Sequence, residues 1–212
     1  PTYFSDLDEN IEGQNDSAIK ALVSGNNALW VMKEPSQSNT SIFYHNPAID
    51  DEAGKVYPSI HSSISTGCVS TGINFNDDIV FLSERGLEGI SGDVTTEQVI
   101  AHRSTLVDNK LLNEANYKNV LLEEWEGYLL VIVDNHIYLA DSRATMTNND
   151  HKEYEWFYFE FDMNITSTRV KDGVLFLCSN NKIYTLTKKD TNIEAYWTTL
   201  EDEFKYPQYY KS

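Results

Sequence analysis

Five histidines, two cysteines and 33 acidic residues are the side chains with which this chain could do chemistry. The histidines are His45, His61, His102, His136 and His151. No two stand three or four apart on a helical pattern or in an H-E-x-x-H, the spacings that aim two imidazoles at one metal ion. His136 falls in a hairpin turn and His151 in a polar stretch, so both are expected to be exposed. Cys68 and Cys178 lie in separate strand-like runs rather than in the sequence pairs of a zinc site, and buried reduced thiols are expected rather than a disulfide. The passage Thr66-Gly67-Cys68-Val69-Ser70, with His61 just before it, invites a nucleophile reading. A catalytic thiolate needs a base and an electropositive setting, and these surroundings are neutral.

The acidic residues raise two further possibilities. A glycosidase sets two carboxyl groups across a sugar cleft. Asp77-Asp78, Glu123-Glu124 and Asp134 are hairpin-associated candidates, and the aromatic run from Tyr154 to Phe161 could line a groove. Acidic residues at turns are also what turn geometry and solubility require. No D-x-D-x-D-G loop for calcium is present. The sequence thus assigns no catalytic, cofactor-binding or metal residue, and the reading is of a protein that is not an enzyme and holds no cofactor.

The elements that would position these groups are mostly strands. Val170 to Thr187 reads as two short strands around Ser179-Asn180-Asn181, a β-hairpin, because asparagine tolerates a left-handed backbone. Trp125 to Asp141 repeats the unit around Asp134-Asn135, and Phe75 to Ser91 repeats it around Ser83 to Gly86. Asn27 to Glu34 supplies a further first strand, with Ser41 to His45 as its return. Leu29 to Ile79 is 50 residues, Ile79 to Leu129 is 50, and Leu129 to Val174 is 45. A weak repeat of about 40–50 residues, each copy holding a hairpin, is the signature of a β-propeller blade.

Between the hairpins, Val56 to Asn74 carries small residues suited to an inner strand and turn of the second blade. Thr95 to Asn116 has apolar residues near helical spacing, and Thr95 with Gln98 fits a capping box, so a helical insertion is expected over 95–116. Asp141 to Lys152 reads as a polar, mobile loop. The fold expected is all-β with one inserted helical segment: a β-propeller or propeller fragment of about four antiparallel blades. An irregular acidic arm would span 1–23. Blades would lie near 24–50, 56–92, 120–143 and 154–188, with the start of another at 193–212.

A formal net charge of −17 argues against a nucleic-acid grip or docking on anionic lipid, both of which need Lys and Arg. The 12% aromatic content suits sheets. No stretch approaches the roughly 20 apolar residues of a membrane span, and no signal peptide is evident. The chain opens at Pro1 without Met, as expected of a piece of a longer protein.

Several segments together resemble a known group. They are F-N-D-D-I-V-F-L-S-E-R-G-L-E-G-I-S (75–91), A-H-R-S (101–104), W-E-G-Y-L-L-V-I-V-D-N-H-I-Y-L-A-D-S-R (125–143), Y-E-W-F-Y (154–158), D-G-V-L-F-L-C-S-N-N-K-I-Y (172–184) and A-Y-W-T-T-L-E-D-E-F (195–204). They resemble the propeller-like structural proteins encoded in tailed-bacteriophage and prophage tail or connector gene clusters, over roughly Leu29 to Ser212. The resemblance implies a virion component, assembled in the bacterial cytoplasm, that binds other virion or tail proteins, with self-association possible. It transfers no site residue. The expected function is a rigid β scaffold for tail assembly. The alternatives are a propeller module that recognises cell-surface carbohydrate and a glycoside hydrolase.

Overall fold

The same two-residue turn opens each of four sheets. In the computed structural model, which describes residues 12–13, 16–36, 41–46, 59–62, 64–91, 99–148 and 151–186, it falls at Asn26-Asn27, Asn76-Asp77, Glu126-Gly127 and Asp172-Gly173. Both residues of each pair have positive φ, from 50° at Asn76 to 80° at Gly127. That is the type I′ geometry, whose twist matches the strands it joins and which Asn, Asp and Gly adopt at least cost. Each turn links the first two strands of an antiparallel sheet whose strand order follows the chain.

The first sheet holds β1 (Ile19–Gly25), β2 (Ala28–Lys33), β3 (Ile42–His45) and β4 (Ser59–His61). The second holds β5 (Gly72–Phe75), β6 (Asp78–Ser83), β7 (Gly86–Ser91) and β8 (Val99–His102). The third holds β9 (Leu121–Trp125), β10 (Tyr128–Val133), β11 (His136–Asn148) and β12 (His151–Glu160). The fourth has three described strands, β13 (Ser167–Lys171), β14 (Val174–Ser179) and β15 (Lys182–Leu186). The sheets pack through their first strands: β1 lies against β5, β5 against β9, and β9 against β13.

Apolar side chains fill the three gaps between sheets. Val23, Trp30 and Met32 meet Ile79, Phe81 and Ile90 in the first. Phe75, Val80 and Leu82 meet Leu129, Val131 and Tyr138 in the second, and Leu130, Ile132 and Ile137 meet Leu175 and Leu177 in the third. β6 and β10 therefore alternate between two cores, which is why both read in sequence as unbroken apolar runs. Gly67 sits where the chain crosses between the first two sheets, and a Cβ there would collide with the backbone of Pro35. The Cys68 N–H donates to the Lys33 carbonyl and the Val69 N–H to the Leu82 carbonyl, both at 2.8 Å, tying the sheets together.

The structure corrects several expectations. Strand pairing joins Gly25 to Ala28, Phe75 to Asp78, Trp125 to Tyr128 and Lys171 to Val174. Leu29, Ile79 and Leu129 therefore correspond to Leu175 rather than Val174. A slip of one residue exchanges the faces of a strand, and Leu175 is the buried one. The helical insertion over 95–116 reduces to one turn, α1 (Asp108–Leu111), and a 3₁₀ turn at Tyr117–Asn119, because Val99–His102 pairs with β7 as the edge of the second sheet. Residues 92–98, with the supposed capping box, lie outside the described residues.

Ile19–Gly25 is a strand, so the irregular arm cannot extend to residue 23. Asp141 to Lys152 is not a loop: β11 runs to Asn148 and pairs with β12 across a register shift between Asp141 and Met146. Tyr154 to Glu160 thereby closes the third sheet instead of opening the fourth. In Val56 to Asn74, Ser59–His61 ends the first sheet and Gly72–Phe75 opens the second, with a bridging segment between. The further blade at 193–212 lies outside the described residues. Among those described, no helix is long and apolar enough to cross a membrane.

Candidate functional site

The structure separates the candidate side chains. Cys68 is fully buried, its Sγ donating at 3.5 Å to the Thr71 carbonyl, and burial pushes its thiol up to about 11. A thiol held neutral in this way is a poor nucleophile. Cys68 and Cys178 are both free. The ring of His61 meets Phe43 edge-on at 5.5 Å. Glu123 and Glu124 lie on β9, and Asp134 accepts two hydrogen bonds from Asn116 Nδ2, at 2.8 and 2.9 Å. The aromatic run on β12 forms no single groove. Tyr154 and Trp156 face the second core, while Phe157 and Phe159 are exposed.

Three histidines that sequence spacing leaves isolated meet carboxylates across the fold. His136 is not a bystander: its Nδ1 lies 2.7 Å from Glu114 Oε1, which also accepts a short hydrogen bond from the Tyr138 hydroxyl. His45 Nε2 lies 2.7 Å from Glu12 Oε1, and both side chains are nearly buried. His102, at the end of β8, stands between Asp108 Oδ2 at 2.6 Å and Glu88 Oε2 at 3.3 Å.

This last cluster places serine, histidine and aspartate together, but in an order unsuited to nucleophilic catalysis. Ser104 Oγ donates to Asp108 Oδ1 at 2.6 Å and accepts from the Leu87 N–H at 2.8 Å, so its hydroxyl is committed away from the imidazole. The Glu88 carboxylate, and after it Asp108, raises His102 from 6.5 to about 9 against the opposing effect of burial. A charged imidazole cannot act as a general base near neutral pH. The cluster instead ties β7, β8 and α1 together. Gly86, with φ of 132°, is where the chain passes closest, and a Cβ there would collide with Ser104 Oγ.

A second buried cluster joins the second and third sheets. Asp78 Oδ2 accepts from Arg103 Nε at 2.8 Å and from the Tyr154 hydroxyl at 2.7 Å. The Arg103 guanidinium also lies 5.6 Å from the centre of the Tyr154 ring. Asp78 and Asp77, adjacent in sequence, are thus separated in role. Asp78 is spent on packing, and Asp77 projects from its turn into solvent. Among the described residues no group of three or more His, Cys, Asp or Glu side chains could hold a metal ion.

Among the described residues, a groove of about 860 Å³ lies where the first turns of sheets one and two approach each other. Its lining includes Glu12, the run Ser24 to Leu29, His45, Asn74 and Asp77. The type I′ turns that place Asn26, Asn27 and Asp77 at its rim are legible in the sequence, as the turn cluster Ser24-Gly25-Asn26-Asn27 and the hairpin-associated Asp77. No protein-family model matches this chain, and no characterised protein matches its sequence.

Proposed function

We propose that the chain is a β-propeller-type scaffold that works through protein–protein contacts, without catalysis, in the assembly of a phage or prophage tail. The observation that carries the scaffold reading is the stacking of four meander sheets through their first strands, β1 on β5, β5 on β9 and β9 on β13. Blades converging on an axis pack in this way. The polar clusters support it as well, since their hydrogen bonds run between strands and connections and fix geometry. Contact surface is offered at the margin of sheets three and four, where Phe157, Phe159, Tyr184 and Leu186 are exposed and β15 is exposed throughout. Aromatic side chains of this kind are the usual anchors of protein interfaces. The place in a virion rests on the sequence resemblance.

Light scattering with small-angle X-ray scattering tests the architecture. A disc or an open crescent is the expected profile, and an extended rod would refute stacked blades. Mass spectrometry of purified tailed particles from a producing host tests the location. The chain should be present at a stoichiometry fixed relative to other tail proteins, and its absence from such particles would overturn the virion role.

A further inference from the structure

The groove between the first two sheets runs past Gly25, the residue at which the first sheet departs from its neighbours. Gly25, Phe75 and Trp125 are equivalent, each the last residue of a first strand. Phe75 is fully buried in the second gap. Trp125 reaches over the turn of the fourth sheet, its Nε1 donating at 3.0 Å to the Gly173 carbonyl. Gly25 has no ring to lay over the Asn76-Asp77 turn. Ile79 and Asn74 come close enough that a Cβ on Gly25 would collide with Ile79. The space above them stays open, and its volume of about 860 Å³ is within the range typical of ligand sites, roughly 300–1,000 Å³.

The chemistry of the rim selects the ligand. Asn26, Asn27 and Asp77 make no described hydrogen bond or ion pair. Asn74 donates through Nδ2 to the Ser24 carbonyl at 3.2 Å and leaves a buried Oδ1 unpartnered among the described residues. An asparagine amide presents a donor and an acceptor side by side, and a carboxylate accepts twice. A hydroxyl group also donates and accepts, so a row of hydroxyls matches this rim. A cation would leave the amide N–H groups unused, and an anion would meet Asp77 and a chain of net charge −17. Leu29, 42% exposed beside the asparagines, supplies an apolar surface for C–H groups.

We propose that this groove binds a neutral oligosaccharide through Asn26, Asn27 and Asp77. The site is independent of the scaffold role and would add surface recognition to it.

The test is titration of the 15N-labelled chain with maltotriose, cellotriose and tri-N-acetylchitotriose, followed by amide chemical shifts. Parallel titrations use Asp77→Gly and Asn27→Gly. Both positions have positive φ, 61° and 57°, so glycine keeps the turn while deleting the side chain. Saturable shifts at residues 24–29 and 74–77 with at least one saccharide, weakened roughly tenfold or more by Asp77→Gly, are expected, since a hydrogen bond to a charged group contributes about 1.5–3 kcal/mol. No saturable shift with any of the three, or binding unchanged in both variants, overturns the proposal. So does binding of pentalysine at these residues in place of the saccharides, which would identify a cation site.

Discussion

His102 makes the fold's stability depend on pH in a direction that can be worked out. The imidazole faces Glu88 from β7 and Asp108 from α1, with Arg85 on the far side of Glu88 at 3.2 Å. Its pKa is raised from 6.5 to about 9. A histidine held more basic in the folded state contributes its full stabilisation below its unfolded value. That contribution is lost as pH rises through the folded one. At about 1.36 kcal/mol per pH unit the rise corresponds to roughly 3.4 kcal/mol. The ring is 29% exposed, and solvent screening reduces the expected contribution to about 1–2 kcal/mol.

Urea unfolding at pH 6, 7.5 and 9 measures it, with His102→Gln as reference to subtract every other titrating group. The native chain should lose about 1–2 kcal/mol more than the variant between pH 6 and 9. The His102 ring proton, followed by NMR, should titrate above pH 8. A midpoint at or below 6.5, or parallel pH profiles for the two proteins, would refute the reasoning.

Two further substitutions probe the packing between sheets. Arg103→Ala leaves Asp78 buried with only Tyr154 as a described partner and should cost about 3–5 kcal/mol in denaturant unfolding, whereas Tyr154→Phe should cost less. Trp125→Phe keeps most of the ring but deletes the bond to the Gly173 carbonyl. A loss of about 0.5–1.5 kcal/mol is expected, with faster amide exchange concentrated in β13 and β14.

Strands were legible in this sequence where their composition left one reading. Ile79 to Leu82 and Leu129 to Val133 are β-branched, aliphatic and aromatic, too short for buried helices, and followed by turn residues. The helix over 95–116 failed because its apolar residues come from separate structures. Val99 and Ile100 belong to a strand, while Val107 and Leu111 pack from a single turn beneath the third sheet. Periodicity cannot separate such neighbours when no glycine or proline divides them. The sheet boundaries failed for a related reason: a hairpin declares its two strands but not which sheet receives the next one. Hence Tyr154 to Glu160 reads forward in sequence, whereas pairing of Glu155 to Glu160 with His136 to Asp141 holds it in the third sheet. Most of the charged clusters were invisible because their members are distant in sequence, whereas His102, Ser104 and Asp108 lie within seven residues and are brought together by the bend between β8 and α1. Glu12 and His45 stand 33 residues apart, and Asp78 and Tyr154 stand 76 apart. The groove was half legible: its turn residues could be read, but the approach of Asn74 and Asp77 to the first sheet's turn appears only once the sheets are packed.

The order of the sheets has a consequence for how the chain opens. Each sheet is a local meander, and the described packing between first strands joins only sheets adjacent in sequence. Such an arrangement behaves as a one-dimensional array in which each unit is stabilised by its own hydrogen bonds and its neighbours' interfaces. Among the described residues, sheets two and three have neighbours on both sides, while sheet four is flanked only by sheet three and its last strand is the exposed β15. Amide exchange should therefore be graded along the molecule, slowest at Ile79 to Leu82 and Leu129 to Val133 and fastest at Lys182 to Leu186. Under mechanical load or mild denaturant the fourth sheet would peel away first, while the two central sheets stayed folded.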